Sequence, residues 1–132
     1  MPKLYFIDSG ICTRLQGHQE QSPILNTPQA GHLFESLVYS EIIKTKLNFQ
    51  LAFELFYWRT KEHEEIDFIL IEVKLSAHHL RTFKIPEALT RIKNKIQKCY
   101  VVASGESHKI DSNTDCIPIK NLCAYLNQVN SL

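Results

Sequence analysis

The chain has 132 residues, 44% of them hydrophobic and 22% charged, with a formal net charge of +1. That is ordinary globular composition for one domain, and it argues against intrinsic disorder and against a strongly basic polyanion binder. No apolar run approaches the ~18 residues needed to span a bilayer. The N-terminus MPKLYFIDSG lacks the layout of a secretory signal. Four cysteines (Cys12, Cys99, Cys116 and Cys123) form no CxxC pair, so they read as reduced thiols of a cytoplasmic protein. None of the four glycines belongs to a phosphate-cradling GxxxxGK[ST] loop.

Taken in chain order, Leu4 to Ile7 is a short apolar run, either a strand or an extended segment. Asp8-Ser9-Gly10 reads as a turn capping a short helix, Ile11 to Leu15. Residues 16–29 are polar with two prolines and form a loop, the best candidate for disorder. From Ala30 to about Lys46 the spacing predicts a helix, with Leu33, Phe34, Leu37, Val38 and Ile42 recurring at three- and four-residue intervals and Asn48 as its stop. Glu35 falls at the edge of that apolar stripe, where a carboxylate needs a partner.

Leu51 to Arg59 (LAFELFYWR) alternates and is rich in aromatics, as a strand is. Residues 61–65 form a charged turn, and Glu65 to Leu75 (EIDFILIEVKL) reads as β again. Pro86 suits the first turn of a helix reaching about Lys95, with Leu89 and Ile92 inward. Cys99 to Ala103 (CYVVA) has the near-continuous apolar character of a buried central strand. Residues 106–115 read as a polar loop, Ile117 as a short edge strand, and Ile119 to Val129 as a closing helix with Leu122, Cys123 and Leu126 inward. The order predicts a mixed α/β (α+β) domain.

Charge is uneven. Residues 1–73 carry net −4, residues 74–98 net +6 and residues 99–132 net −1. An acidic half beside a basic block fits a metal site next to a phosphate-binding face, but on charge alone a solvated lysine-rich helix is the favoured reading of the basic block. The segment Asp67 to Lys74, DFILIEVK, carries the chemistry. Side chains two apart on a strand share a face, so Glu72 and Lys74 point the same way and Val73 points to the core. An acid and an amine side by side among Ile and Val need a reason. Carboxylates holding Mg²⁺, with a lysine orienting or deprotonating water, supply one.

Asp67 followed by Glu72-Val73-Lys74 resembles the PD-(D/E)XK nuclease superfamily, with Glu35 matching its acidic residue on the first helix. More closely, PKLYFIDSGI (2–11), GHLFESLVYSEI (31–42), FYWRTKEHEEIDFIL (56–70), IEVK (71–74) and CYVVASGE (99–106) resemble the uncharacterised C-terminal domain of prokaryotic AAA-type ATPases. The resemblance covers nearly the whole chain. It implies a restriction-endonuclease-like core, a mixed sheet of about four strands flanked by helices, forming one domain over 1–132. It implies Asp67, Glu72 and Glu35 as ligands of Mg²⁺ or Mn²⁺, and Lys74, Glu72 and Asp67 as the catalytic set of a phosphodiesterase acting on DNA or RNA. A non-catalytic module serving an ATPase or another protein is the alternative. Relatives carry an ATPase module and a winged helix ahead of this domain, so the chain reads as a stand-alone relative, a truncated product or an excised piece.

One departure matters. In the family a turn separates the Asp and Glu-x-Lys strands, whereas here only Phe68-Ile69-Leu70-Ile71 intervene, with no turn-forming residue among them. On one unbroken strand Asp67 and Glu72 point to opposite faces. Either a bulge corrects the phase, or a hairpin tip is missing near Ile69 to Ile71. The latter is the expectation, and it implies a long step between consecutive Cα atoms there.

Plainer readings exist for each residue. Glu35 caps or pairs locally, Asp67 pairs with Arg59, and Glu72 and Lys74 make a surface ion pair of little worth. Tyr57 and Trp58 are packing residues more readily than a base-stacking platform. His78-His79 reads as loop, and Cys116 with Cys123 lacks the histidines of a zinc site. Lys93, Lys95 and Lys98 form a solvated face or touch phosphate.

Overall fold

The computed structural model describes residues 4–17, 27–55, 58–59, 65–66, 71–76 and 98–129. The chain divides into two compact units, residues 1–53 with 122–132, and residues 54–121. The first is helical, and the second holds the strands.

In the first unit, Leu4 to Ile7 forms no strand and leads irregularly into helix α1, Ser9–Leu15. Asp8 caps it as its sequence predicts, its Oδ1 accepting from the Ile11 amide at 3.0 Å. Tyr5 stacks on Tyr39 at a centroid distance of 4.8 Å, tying the N-terminal segment to the second helix.

Helix α2 spans Ala30–Phe49 and runs three residues past the expected end. Asn48 does not stop it. Gln50 does, in the left-handed conformation at φ 52°, with its amide donating to the Lys46 carbonyl. Glycine usually takes that position, and a side chain there costs about 1 kcal/mol. Leu33, Phe34, Val38 and Ile42 are buried as the periodicity predicts, and Ser36, Ser40 and Thr45 are buried beside them. Burial therefore wraps further round α2 than its apolar stripe. Helix α3, Leu122–Val129, packs on α2, as does α1. It buries Leu122 and Leu126, but Cys123, expected inside, is exposed. A 3₁₀ turn, Ile119–Asn121, precedes α3, and the buried face of α3 is the narrow i, i+4 line of Leu122 and Leu126, which leaves Cys123, about 100° round the helix, outside it.

In the second unit, β1 (Trp58–Arg59) pairs antiparallel with β2 (Glu65–Ile66). Of the strand expected over Leu51–Arg59, residues 51–55 are irregular and β1 lies at its end. The expected Glu65–Leu75 strand contributes two separately paired elements: β2, and β3 (Ile71–Lys74), which belongs to a four-stranded sheet ordered β3-β4-β6-β5. Asp67 to Leu70, and with them most of the stretch where a chain break was expected, lie outside the described residues. So do the predicted turn at 61–64 and the predicted helix from Pro86 to Lys95.

Strand β4, Lys98–Val102, runs parallel to β3 on one side and to β6 (Thr114–Pro118) on the other. Cys99, Tyr100, Val101 and Val102 are all at most 2% exposed, so both faces of β4 are covered, as an unbroken apolar run requires. The polar stretch read as a loop over 106–115 is mostly strand. β5 (His108–Asp111) is exposed along its length and pairs antiparallel with β6 through a two-residue turn, Ser112-Asn113. Ile117, read as an edge, sits in an interior strand. The polarity that suggested a loop belongs to the edge strand β5, where charged side chains face water. The result is a mixed α/β content with a four-stranded mixed sheet.

Asp111 organises the hairpin turn. Its carboxylate accepts from the Asn113 amide and from the Thr114 hydroxyl, each at 2.8 Å. Those bonds, the Asn113 amide foremost, hold its pKa below the ordinary value of 3.8. The stability Asp111 contributes is therefore fully present above about pH 4 and is lost as pH falls through its lowered native value. In urea melts the advantage of the wild type over Asp111→Ala should be constant near neutrality and narrow below pH 4. An advantage that grows on acidification would contradict this linkage.

The thiols give a second check. Cys12, Cys99 and Cys116 are buried and Cys123 is exposed. Burial also pushes the Cys116 thiol up from its ordinary pKa. A thiol-disulfide reagent should titrate one fast thiol in the native protein and all four in denaturant, and Cys123→Ser should remove the fast phase.

Candidate functional site

Strand β3 carries the Glu-x-Lys motif. Its register is fixed by four consecutive parallel pairs, Ile71 with Cys99, Glu72 with Tyr100, Val73 with Val101 and Lys74 with Val102. Ile71 and Val73 are buried at 7% and 6% exposure, and Lys74 is exposed. Alternation thus places the apolar positions of β3 on a covered face, and Lys74 outside it, as the sequence expects. Lys74 ends the strand. Because β3, β4 and β6 run parallel, Lys74, Val102 and Pro118 lie along one edge, the carboxyl edge of the sheet. Open α/β sheets bind ligands outside that edge.

Glu35 lies in the second turn of α2, in the helical unit. Its side chain is 17% exposed, and its Oε2 lies 3.7 Å from Nδ1 of His32, one turn earlier on the helix. At that separation, with His32 79% exposed, the pair stabilises little. Glu72 and Lys74 belong to the sheet unit, two residues apart on one strand. Asp67 lies outside the described residues. Among the described residues no group of three or more His, Cys, Asp or Glu side chains converges as a metal site. His78 and His79, and Lys93 and Lys95, are likewise outside the described set, while Lys98 begins β4 at the amino edge of the sheet. Trp58 begins β1 opposite Ile66.

Sequence reasoning missed the elements around Lys74. The connection from β4 to β5, residues 103–107, is exposed throughout and passes the carboxyl end of β6, because β6 inserts between β4 and β5. Gly105 sits in it at φ 121°, a conformation that disfavours any side chain. The Asn121 amide of the following 3₁₀ turn donates to the Ser107 hydroxyl at 2.8 Å. The only sequence signal for this arrangement was the Ser-Gly-Glu-Ser run that ends the buried strand.

A family model, a domain of unknown function (DUF4143), matches residues 30–122. The chain belongs to the DUF4143 family. The matched range takes in α2, the six strands found among the described residues and the 3₁₀ turn, and so includes Glu35, Asp67, Glu72 and Lys74. No curated protein and no solved structure matches the chain. Among the described residues of this DUF4143 domain, no helix is long and apolar enough to cross a membrane.

The burial pattern of β3 separates structure from chemistry at adjacent positions. Val73→Asp should cost about 3 kcal/mol or more, because it buries a charge. Lys74→Ala, at an exposed position, should stay within about 0.5 kcal/mol of wild type. Thermal melts of the two variants check this, and a Lys74→Ala melt as poor as that of Val73→Asp would make the lysine structural.

Proposed function

We propose that this DUF4143 domain is a divalent-metal-dependent nuclease-like domain that hydrolyses phosphodiester bonds of nucleic acid. The observation that carries the reading is the setting of Glu72-Val73-Lys74: a strand beside the buried β4, with Val73 in the core and an exposed Lys74 at the carboxyl edge. An edge lysine two residues after a carboxylate is ordinary on a surface. Beside an upstream Asp and a helix-borne Glu, it resembles the PD-(D/E)XK set.

The donor chemistry fits the metal. Asp67, Glu72 and Glu35 are carboxylates, hard oxygen ligands suited to Mg²⁺ or Mn²⁺ rather than to zinc. When bound, the ion supplies Lewis acidity toward the phosphodiester. On this reading Asp67, Glu72 and Glu35 are the acids that would hold it, as the resemblance implies. Lys74 positions the attacking water and offsets negative charge on a non-bridging phosphoryl oxygen, as a compact ammonium does well. Val73 and Ile71, packed in the core, keep the strand from shifting and so fix where Lys74 ends.

A second reading is favoured by one specific feature, the four-residue spacing between Asp67 and Glu72. A non-catalytic module derived from the same fold, acting for an ATPase partner or parent, tolerates a split metal site. The family's association with AAA-type ATPases supports it.

Incubation of the purified protein with labelled DNA and RNA in Mg²⁺ or Mn²⁺ separates the two. The nuclease reading expects cleavage that stops in EDTA and falls at least 100-fold in Lys74→Ala, the scale of a lost catalytic group. Cleavage retained in that variant excludes the mechanism. Should the wild type cleave nothing, a metal-induced rise in melting temperature that disappears in Asp67→Ala would still speak against the non-catalytic module.

A further inference from the structure

The carboxyl edge of the sheet holds more than Lys74. Lys120 lies two residues beyond Pro118, the last residue of β6, on the 3₁₀ turn Ile119–Asn121, and it is exposed. β3 and β6 are separated only by β4. Lys74 and Pro118 therefore stand two strand spacings apart along the edge, roughly 10 Å, and Lys120 follows Pro118 by two residues. The 103–107 connection runs along the same edge and brings Ser104, the exposed backbone of Gly105, Glu106 and Ser107. The bond from Asn121 to Ser107 ties this connection to the turn that carries Lys120. His108 follows, its Nδ1 3.1 Å from the Glu106 carbonyl oxygen.

We propose that this rim, with Lys120 as its principal cation, is where the backbone of the nucleic-acid substrate lies beside the Lys74 position. The inference rests on the nuclease reading and names a positioning residue for it. The chemistry is that of phosphate recognition. Two exposed ammonium groups on one sheet edge suit phosphates of one strand, and hydroxyls and an open glycine backbone suit the oxygens between. Among the described rim side chains Glu106 is the acid that opposes Lys74 and Lys120, apart from the carboxylates that the nuclease reading gives to the metal. Lys98 supplies a comparison within the same sheet, because it starts β4 at the opposite, amino edge.

Fluorescence anisotropy with end-labelled single-stranded and duplex DNA, in EDTA so that nothing is cleaved, tests the rim apart from the reaction. Across about 50–200 mM salt, Lys120→Ala should weaken binding and lower the slope of log K against log salt by about 0.9 for duplex or 0.7 for single strands. Glu106→Gln should strengthen binding, and Lys98→Ala should leave both affinity and slope unchanged. No binding by the wild type, or an equal loss in Lys98→Ala and Lys120→Ala, overturns the rim. Binding that follows the expected pattern in a protein that cleaves nothing keeps the rim and removes the nuclease reading, so the two fail separately.

Discussion

The burial of β4 on both of its faces is the constraint from which the sheet follows. Four consecutive side chains, Cys99 to Val102, leave water almost completely. Their backbone amides and carbonyls then need partners on both sides, because an unpaired buried peptide group costs about as much as a lost hydrogen bond. β3 supplies one ladder and β6 the other. Once both run parallel to β4, their carboxyl ends must share an edge, and Lys74 stands on it. The placement of the Glu-x-Lys motif is thus a consequence of where the chain is most hydrophobic.

Particular elements show how far the sequence could be read. β4 was legible because five nearly apolar residues can hardly be anything but an interior strand. The Asp8 cap was legible because an Asp-Ser-Gly run has few other uses. α2 was legible in its body but not at its end, since Asn48 looks like a terminator and Gln50 does not, although Gln50 takes the left-handed conformation. The β5–β6 hairpin was hidden. His-Lys-Ile-Asp has no apolar alternation because every residue of β5 faces solvent, and a strand held by its backbone alone leaves no periodicity to find. Cys123 was misplaced because an apolar residue next to Leu122 was read as part of the inward face, whereas that face is only as wide as Leu122 and Leu126.

For the candidate site, the sequence supplied the residue set and the structure supplied the setting of part of it. Alternation correctly sorted Ile71 and Val73 from Lys74. The rim around Lys74 was beyond reach of the sequence, because residues 103–107 and Lys120 meet at that edge only through the insertion of β6 between two strands that precede it. Topology of that kind depends on pairing between distant segments, which local pattern does not encode. Family membership agrees with the resemblance to an ATPase-associated domain; it carries no chemistry of its own and says nothing of the nuclease superfamily.

The insertion of β6 also sets a limit on length. The 103–107 connection has five residues with which to pass over one intervening strand. Fully stretched, the chain from Val102 to His108 reaches about 20 Å, against a lateral gap of roughly 10 Å. Removing two residues leaves a tether of about 14 Å, with little slack for the bend at Gly105. Additions cost little by comparison, since loop entropy rises only slowly with size. Among relatives, this stretch is therefore free to grow outward over the sheet edge but has little room to shrink.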